Sequence, residues 1–237
     1  MLTNLTGANE LGTGTGEPTR ISRTDEAYRV LKAEIMANRM PPGFQAMETE
    51  LAEQLSISRT PIREAIIRLS EEGLVEVRRR RGIRVLPISV IDMREIYDLL
   101  TLLEADCARR LTEAGPSKSQ IKLLADAVSE MEAALARDAL DEWAQADDRF
   151  HRLHLDFVTN RRLAKMIGQL LDQAHRVRMF TLHLRKKPTK STKDHRAMVR
   201  ALQKGDPENT SRLYTEHRQL AAVELFDILE RYKLPYL

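Results

Sequence analysis

Several residue types that define common protein classes are scarce in this sequence. Its 237 residues include one cysteine and one tryptophan, and aromatic residues make up only 5%. A single cysteine cannot form an internal disulfide, which excludes a small disulfide-stabilised scaffold. Cys107 lies among apolar residues with helical spacing, so we expect it in the core rather than as a reactive thiol. No apolar run reaches the length of a membrane span and the mean hydropathy is −0.41, which excludes a transmembrane helix.

The first twenty residues have neither the basic start nor the apolar stretch of a signal peptide. They are rich in glycine, threonine and asparagine, a composition typical of a disordered tail over residues 1–20. Together with the single cysteine, these features predict a cytoplasmic protein without a membrane partner.

The positive charge of the chain is concentrated in one place. Lysine and arginine total 38 against 35 acids, a net charge of +3, yet residues 54–87 alone carry eight arginines and four acids. Because phosphate contact is the simplest reason for such a cluster, this stretch indicates nucleic-acid binding. The hydrophobic content of 42% is sufficient for one large or two modest packed domains.

The stretch SISRTPIREAIIRL, residues 56–69, predicts a helix with an unusual beginning. Ser58 is placed to cap this helix, and Pro61 falls in the first turn, where a missing N–H costs little. Apolar residues recur at spacings of three and four and form one stripe: Ile62, Ala65, Ile66 and Leu69. Arg59, Thr60 and Arg63 lie off this stripe near the helix start, where positive charge opposes the helix dipole. DNA phosphates and guanine edges would resolve that conflict, while a solvated amphipathic helix is the alternative.

The flanking segments complete a DNA-binding motif. Residues 48–55 predict a short helix, and a three-residue break joins it to the next helix as in a helix-turn-helix. Two alternating strands follow at 74–77 and 83–86, with an arginine-rich hairpin tip at 78–82. We therefore predict a winged helix-turn-helix domain over residues 21–87.

Residues 27–85 resemble the DNA-binding domain of GntR-type bacterial transcription regulators. The shared positions are Pro41-Pro42-Gly43, Glu48, Glu50-Leu51-Ala52, Ser58 to Ala65, Leu69, Glu72-Gly73-Leu74-Val75 and Arg81-Gly82. The resemblance implies that four residues reach bases and phosphates, namely Ser58, Arg59, Thr60 and Arg63. Thr49 departs from the family pattern, which usually has a DNA-contacting arginine there, and Ser56 replaces a common turn glycine.

The wing adds further candidate contacts with DNA. The resemblance implies that its glycine, Gly82, enters the minor groove. We expect Arg79, Arg80 and Arg81 to contact phosphates or the narrow minor groove, because a run of arginines is suited to both.

Beyond residue 87 the pattern changes to successive helices. Ser89 with Asp92 predicts one capping box, and Ser117 with Gln120 opens another helix. The later helices are predicted over 141–158, 161–184, 192–204 and 207–231. We therefore predict a second, all-helical domain over residues 88–237, an antiparallel bundle of six to seven helices, and a mainly α fold for the chain.

The bundle contains a set of polar residues that suits a metal ion. Asp147 and His151 are four residues apart, so they share one helix face, and His195 and His217 lie on two later helices. Three imidazoles and a carboxylate suit a divalent transition metal, with zinc as the first candidate and nickel, manganese or iron as alternatives. Spacing alone leaves open that these histidines are merely packed or exposed.

Residues 92–225 resemble the FCD domain, the ligand-binding domain of the FadR subfamily of GntR regulators. The shared marks are Leu103-Glu104, Asp147, Phe150-His151, Asn160, Asp194-His195, Gly205-Asp206 and His217. The resemblance implies that Asp147, His151, His195 and His217 hold one metal ion, that a small carboxylate effector completes its shell, and that the chain forms a homodimer.

One departure from the FCD pattern concerns the effector. Leu100 stands where many relatives have an arginine that pairs with the effector's acid group. Arg176 and Arg178 are candidate replacements, with a surface-facing charge as the alternative for both. The basic segment 184–193 is expected to be a solvated loop, and His154 a packing residue.

These features predict a transcription regulator rather than an enzyme. We expect a repressor that binds a pseudo-palindromic double-stranded operator as a homodimer and responds to a small organic acid at the metal site. The alternatives are a metal-dependent enzyme acting on a small carboxylate, in which the metal activates water, and an architectural DNA binder without an effector.

Overall fold

The computed structural model describes residues 22–79, 81–87 and 89–232, so the predicted disordered tail and Arg80 lie outside the described residues. The first part of the chain contains three helices and three short strands. In chain order they are α1 (Arg23–Met36), β1 (Gln45–Ala46), α2 (Glu48–Leu55), α3 (Arg59–Glu71), β2 (Val75–Arg78) and β3 (Gly82–Val85).

The strands form an antiparallel sheet in the order β1-β3-β2, with Val77 opposite Ile83 and Gln45 opposite Arg84. All four residues of the predicted apolar stripe of α3 are buried in one core with α1, α2 and the sheet. The strand β1 was not predicted, because two residues are too few to produce an alternating pattern.

Three backbone positions show how the turns of this part are built. Ser58 occupies the N-cap of α3 as predicted, but its side chain makes no capping hydrogen bond. Ser56 adopts the left-handed conformation with φ of 52°, which explains why a glycine is common at this turn. Gly82 has φ of 72°, and a Cβ there would lie 2.0 Å from the carbonyl oxygen of Ala46. Only glycine therefore permits this close approach of β3 to β1.

The rest of the described chain is a helical bundle. Its elements are α4 (Val90–Ala114), α5 (Lys118–Ala136), α6 (Leu140–Phe157), α7 (Arg161–Thr181), a 3₁₀ helix (Leu182–Leu184), α8 (Thr189–Lys204) and α9 (Pro207–Arg231). The capping box predicted at Ser89 is formed, and the helix predicted to begin at Ser117 with Gln120 also begins with a capping box. The prediction of a mainly α chain, with a winged helix-turn-helix followed by a helical bundle, is confirmed.

The bundle has two apolar cores. One includes Trp143 and Phe150, and the other contains Cys107 among residues of α4, α7 and α9. Cys107 is 1% exposed, and burial raises the pKa of its thiol to about 12, so it is a core residue as predicted. No helix within the described ranges is long and apolar enough to span a membrane.

Helix α7 lies against the DNA-binding part. The side chain of Gln173 donates from Nε2 to the carbonyl oxygens of Glu72, at 3.0 Å, and Gly73, at 3.1 Å. These two carbonyls lie directly after α3. The bundle therefore makes hydrogen bonds to the end of the helix that was predicted to read DNA.

Candidate DNA interface and metal centre

The beginning of α3 presents an exposed polar surface. Its four predicted contact residues, Ser58, Arg59, Thr60 and Arg63, are all exposed. Neither Arg59 nor Arg63 forms a side-chain hydrogen bond or ion pair with any described residue. Both guanidinium groups are therefore available to an external anion, at the end of the helix that reads bases in helix-turn-helix proteins.

The third arginine of α3 has a different environment. Arg68 Nη1 lies 2.7 Å from Asp25 Oδ1, and its guanidinium packs 4.0 Å from the centre of the Tyr28 ring. Its side chain thus joins α3 to α1 and serves the packing of the domain.

The arginines of the wing also fall into two groups, one exposed and one held in ion pairs. Arg79 and Arg81 are exposed, and the structure gives no account of Arg80. Arg78 and Arg84 each place Nε 2.6 Å from Glu76 Oε1, so they hold the hairpin together. Gly82 is buried. Its burial and its contact with β1 indicate a backbone role rather than the exposed surface that entry into a minor groove requires.

Three histidines converge inside the bundle from three different helices. His151 of α6, His195 of α8 and His217 of α9 each place a ring nitrogen within 4.8 Å of the other two. The Nε2 atoms of His151 and His195 are 3.2 Å apart. Asp147, one turn before His151, places Oδ1 3.6 Å from His195 Nε2 and 4.0 Å from His151 Nε2. The four residues singled out in the sequence therefore form one cluster.

Burial sets the protonation of this cluster. It lowers the pKa of His151, His195 and His217 below the ordinary imidazole value, which favours neutral rings with a free lone pair. Burial alone would raise the pKa of Asp147, but the neighbouring positive charges, that of Arg178 first, hold it below its ordinary value. The result is an ionised carboxylate beside three neutral imidazoles.

This donor set fits a divalent transition metal. Two nitrogens bound to one zinc ion at about 2.0–2.1 Å in tetrahedral geometry are roughly 3.3 Å apart. The observed His151–His195 separation of 3.2 Å agrees with that spacing. Nδ1–H of His195 donates to the carbonyl oxygen of Ser191 at 2.8 Å, which assigns its free lone pair to Nε2, the atom facing the cluster.

A buried ion pair lies behind His151. Arg218 donates from Nε to Glu104 Oε2, and both side chains are almost fully buried. Nδ1 of His151 lies 3.2 Å from Glu104 Oε1 and 3.0 Å from Arg218 Nη2. A proton on Nδ1 would be donated to Glu104, leaving Nε2 free for a metal, as in the carboxylate–histidine pairs of metal proteins.

The sequence did not reveal this ion pair. Glu104 stood out only as a family mark, and Arg218 was overlooked because nothing connects two residues 114 positions apart. The only sequence feature that pointed to Arg218 was its position next to His217.

The two candidate effector arginines are separated by the structure. Arg178 is mostly buried, and its Nη1 donates to Asp147 Oδ2 at 2.9 Å. Arg176 instead donates from Nη2 to the carbonyl oxygen of Leu86 at 2.7 Å, near the junction with the wing. Residues two apart point to different faces of a helix, so only Arg178 reaches the cluster.

A small cavity of about 70 Å³ opens beside the cluster. Asp147, Arg178 and His217 contribute to its wall, together with the segment 185–188 and the start of α8. The basic segment expected to be a solvated loop therefore forms part of this wall, and Arg185 is partly buried in it. The lysines of this segment are exposed as predicted, so the prediction fails only for Arg185 among its basic residues.

His154 is buried but lies outside the metal cluster. Its Nδ1–H donates to the carbonyl oxygen of Phe150 at 2.9 Å, and its Nε2 accepts from the hydroxyl of Tyr214. Both ring nitrogens are thus occupied, which agrees with the predicted packing role.

Two family models match the chain. The model of bacterial regulatory proteins of the gntR family matches residues 23–85, and the FCD domain model matches residues 95–220. The HTH-type transcriptional repressor RspR of Escherichia coli (strain K12) is 30% identical over 194 residues, covering 82% of this chain and 85% of RspR.

Two further comparisons agree with these matches. An HTH-type transcriptional regulator in the TAR-I ttuE-ttuC' intergenic region of Agrobacterium vitis is 44% identical over 131 residues, 54% of this chain and 77% of that protein. The solved structure of E. coli McbR/YncC has the same fold, with a TM-score of 0.77 and 20% identity over 88% of this chain and 99% of that chain.

The chain belongs to the GntR family of bacterial transcriptional regulators and carries an FCD domain after its winged helix-turn-helix. Its relatives are regulators, so the interpretation as a DNA-binding regulator is confirmed over the metal-dependent enzyme.

Proposed function

We propose that this regulator is a repressor that binds a pseudo-palindromic operator as a homodimer. The observation that carries the DNA-reading part is the pair of exposed, unpaired guanidinium groups at the start of α3, Arg59 and Arg63. One recognition helix reads too few base pairs for genomic specificity, and two-fold protein symmetry is matched by palindromic half-sites. Similarity to the repressor RspR favours repression over activation.

The proposed DNA contacts follow the exposure of the side chains. Ser58, Arg59, Thr60 and Arg63 contact the major groove and its phosphates, and the wing arginines 79–81 contact phosphates or the minor groove. Gly82 is left out, because its buried backbone supports the wing instead of presenting a surface.

The proposed regulatory site is one divalent metal held by Asp147, His151, His195 and His217. Zinc is the first candidate, with nickel, manganese and iron as alternatives, since imidazole nitrogens and one carboxylate suit all four. The burial of the three rings and their lowered pKa support binding of a cation through neutral imidazoles.

The proposed effector is a small organic acid whose carboxylate completes the metal's coordination. The cavity beside His217 and the buried guanidinium of Arg178 support this assignment. Arg176 is not part of the proposed site, because its side chain is engaged at the carbonyl of Leu86. When bound, the metal would supply an electrophilic anchor for the acid, and Arg178 places a positive charge beside it.

Metal content tests the regulatory site directly. We expect about one equivalent of metal in the unmodified protein after zinc-replete purification, and a large loss in His195→Ala and His217→Ala. His183→Ala is the matched control, since His183 is exposed and lies 3.6 Å from Asp141, outside the cluster. Chelation should lower the melting temperature of the unmodified protein and of the control, because the ion binds only the folded state.

Two outcomes would contradict the metal site: equal metal in all four proteins, or none in any of them. Operator binding is tested separately by footprinting upstream of the chain's own gene and by gel shift of the zinc-loaded protein. Protection of two half-sites related by two-fold symmetry is the expected result, and a single unpaired half-site would contradict the dimer.

A further inference from the structure

The cavity beside the histidine cluster is lined by more positive than negative charge. Its cations are Arg178, Arg185, Lys186, Lys187, Lys190 and Arg218. Only two carboxylates, Asp147 and Glu224, line it with them. A divalent metal on the histidines adds to this excess. Three acids outside the wall, Glu104, Asp138 and Asp194, balance part of this charge, and the remainder together with the metal favours an anionic ligand.

Two of these six cations, Arg185 and Lys186, have no acidic partner among the described residues, and of the two only Arg185 is partly buried. The other four form ion pairs: Arg178–Asp147, Arg218–Glu104, Lys187–Asp138 and Lys190–Asp194. Within the described ranges, Arg185 has no carboxylate at ion-pair distance. Its Nε and Nη2 share the hydroxyl oxygen of Thr181, at 3.3 and 3.1 Å. Burial lowers the pKa of this guanidinium, which is consistent with a charge that is only partly compensated.

The cavity wall also contains a buried donor without a hydrogen-bond partner among the described residues, Arg178 Nη2. Arg178 Nη2 lies 3.6 Å from Asp148 Oδ1, too far for a hydrogen bond. A ligand that accepts a hydrogen bond here would satisfy a donor that is otherwise buried without a partner.

We propose that the effector is a short acid with two anionic groups, one bound to the metal and the other bound by Arg185. This inference rests on the proposed function, because the first anchor is the metal. A guanidinium offers two parallel donors that match a carboxylate or phosphate group. The cavity is small, about 70 Å³, which favours a short acid.

This assignment also accounts for the leucine that replaces the usual arginine on α4. Leu100 is fully buried in the apolar core of α4, α7 and α9, so it cannot contact an anion. Arg185 supplies a guanidinium from a different element, the segment between the 3₁₀ helix and α8. The residue that recognises the second anionic group therefore lies in the segment between the 3₁₀ helix and α8, and not on α4.

The test compares acids of equal chain length that differ by one charge. Malonate with propionate, and succinate with butyrate, are titrated into the zinc-loaded full-length protein by calorimetry, with zinc content measured before and after. We expect at least one dicarboxylate to bind tenfold or more tightly than its monoacid. Arg185→Gln should reduce that preference to threefold or less, while Arg185→Lys should retain part of it.

A matched control removes the same charge elsewhere. Arg200 is exposed on α8, nine residues beyond the cavity residue Ser191, so Arg200→Gln should keep the full preference.

The outcomes separate the two proposals. Equal affinity for mono- and dicarboxylates in the unmodified protein, or an undiminished preference in Arg185→Gln, would overturn the second anchor and leave the metal site intact. Loss of the preference for dicarboxylates in Arg185→Gln, with unchanged zinc content, would support the second anchor. Equally tight binding to zinc-free protein would overturn the metal anchor of the proposed function instead.

Discussion

Lys32 of α1 and Asp172 of α7 form an ion pair between the DNA-binding part and the bundle, with Nζ and Oδ2 2.6 Å apart. Lys32 also pairs with Glu72, which follows α3, at 2.8 Å. On the other side, Asp172 accepts from Arg152, which pairs in turn with Asp148. Asp148 is the neighbour of the proposed metal ligand Asp147. A continuous series of charged groups thus connects α6, which carries two of the four proposed metal ligands, with the end of the recognition helix.

Replacing Asp172 with asparagine should weaken this connection. Asp172→Asn keeps the shape of the side chain but leaves Lys32 and Arg152 without its charge, and we expect a loss of about 1–3 kcal/mol in the free energy of unfolding. Urea unfolding measures the loss, and hydrogen exchange should show faster exchange in α1 and the middle of α7. Asp126→Asn removes the same charge from an exposed pair with Lys122 and should cost under about 0.5 kcal/mol. Equal costs in the two variants would contradict a coupled interface.

The three arginines of α3 should have different effects on DNA binding. Arg59→Ala and Arg63→Ala should each weaken operator binding by about 1–3 kcal/mol, because their free guanidinium groups are proposed to contact bases. Arg68→Ala should leave operator affinity nearly unchanged and lower stability instead, since Arg68 packs against Asp25 and Tyr28. Gel shift and thermal unfolding of all three variants provide the comparison. A larger affinity loss in Arg68→Ala than in the other two would remove the start of α3 from its reading role.

The wing should act on DNA of any sequence. Joint replacement of residues Arg79, Arg80 and Arg81 by alanine should weaken binding to operator and non-operator DNA alike, because phosphate contacts carry no sequence information. The slope of log K against log salt should become shallower by about 2–3 if each arginine contacts one phosphate. Glu76→Gln is a useful counterpart, because it releases Arg78 and Arg84 from their ion pairs without removing positive charge. An unchanged slope in the triple variant would show that the wing points away from DNA.

Metal-free protein should lose stability in mild acid through His154. Burial lowers the pKa of this imidazole to about 4, against about 6.5 in the unfolded chain. Between these values the unfolded state binds a proton that the folded state does not, so the free energy of unfolding falls as pH drops from 6.5 towards 4. At 1.36 kcal/mol per pH unit, this one group accounts for about 3 kcal/mol.

The measurement is urea unfolding in the presence of chelator at several pH values. His154→Gln should show a shallower dependence on pH than the unmodified protein, whatever its absolute stability. The exposed His183 provides the control, and His183→Gln should keep the original slope. Identical slopes in His154→Gln and the unmodified protein would show that folding does not lower the pKa of His154.

Local chemistry in the sequence was enough to predict much of this architecture. The stripe of α3, the capping boxes at Ser89 and Ser117, and the four-residue spacing of Asp147 and His151 depend only on residues close in the chain. The family resemblance then brought His195 and His217 to the same site, which helical spacing alone could not do. The sequence could therefore predict which residues form the cluster, but not how their side chains are oriented.

The features that the sequence did not predict depend on how each helix is rotated about its axis and on ion pairs between residues far apart in the chain. The sequence could not distinguish Arg176 from Arg178 as the effector residue. Helix α7 packs against neighbours on more than one side, and its rotation about its own axis relative to the cluster is fixed only by that packing. The Glu104–Arg218 pair joins α4 to α9 and has no local signature. Arg185 looked solvated because its place in the cavity wall depends on how the segment after α7 folds back.

The hydrogen bonds from Gln173 to the carbonyls of Glu72 and Gly73 have a mechanical consequence. They hold one end of α3, while the residues proposed to read DNA are at the other end. A helix of 13 residues is about 20 Å long, so a pivot of roughly 6° at the held end displaces Arg59 by about 2 Å. That is enough to break a hydrogen bond to a base edge. The helical bundle therefore holds the recognition helix at the end farthest from its proposed DNA contacts, and a small tilt about that end would move Arg59 much farther than it moves Glu72.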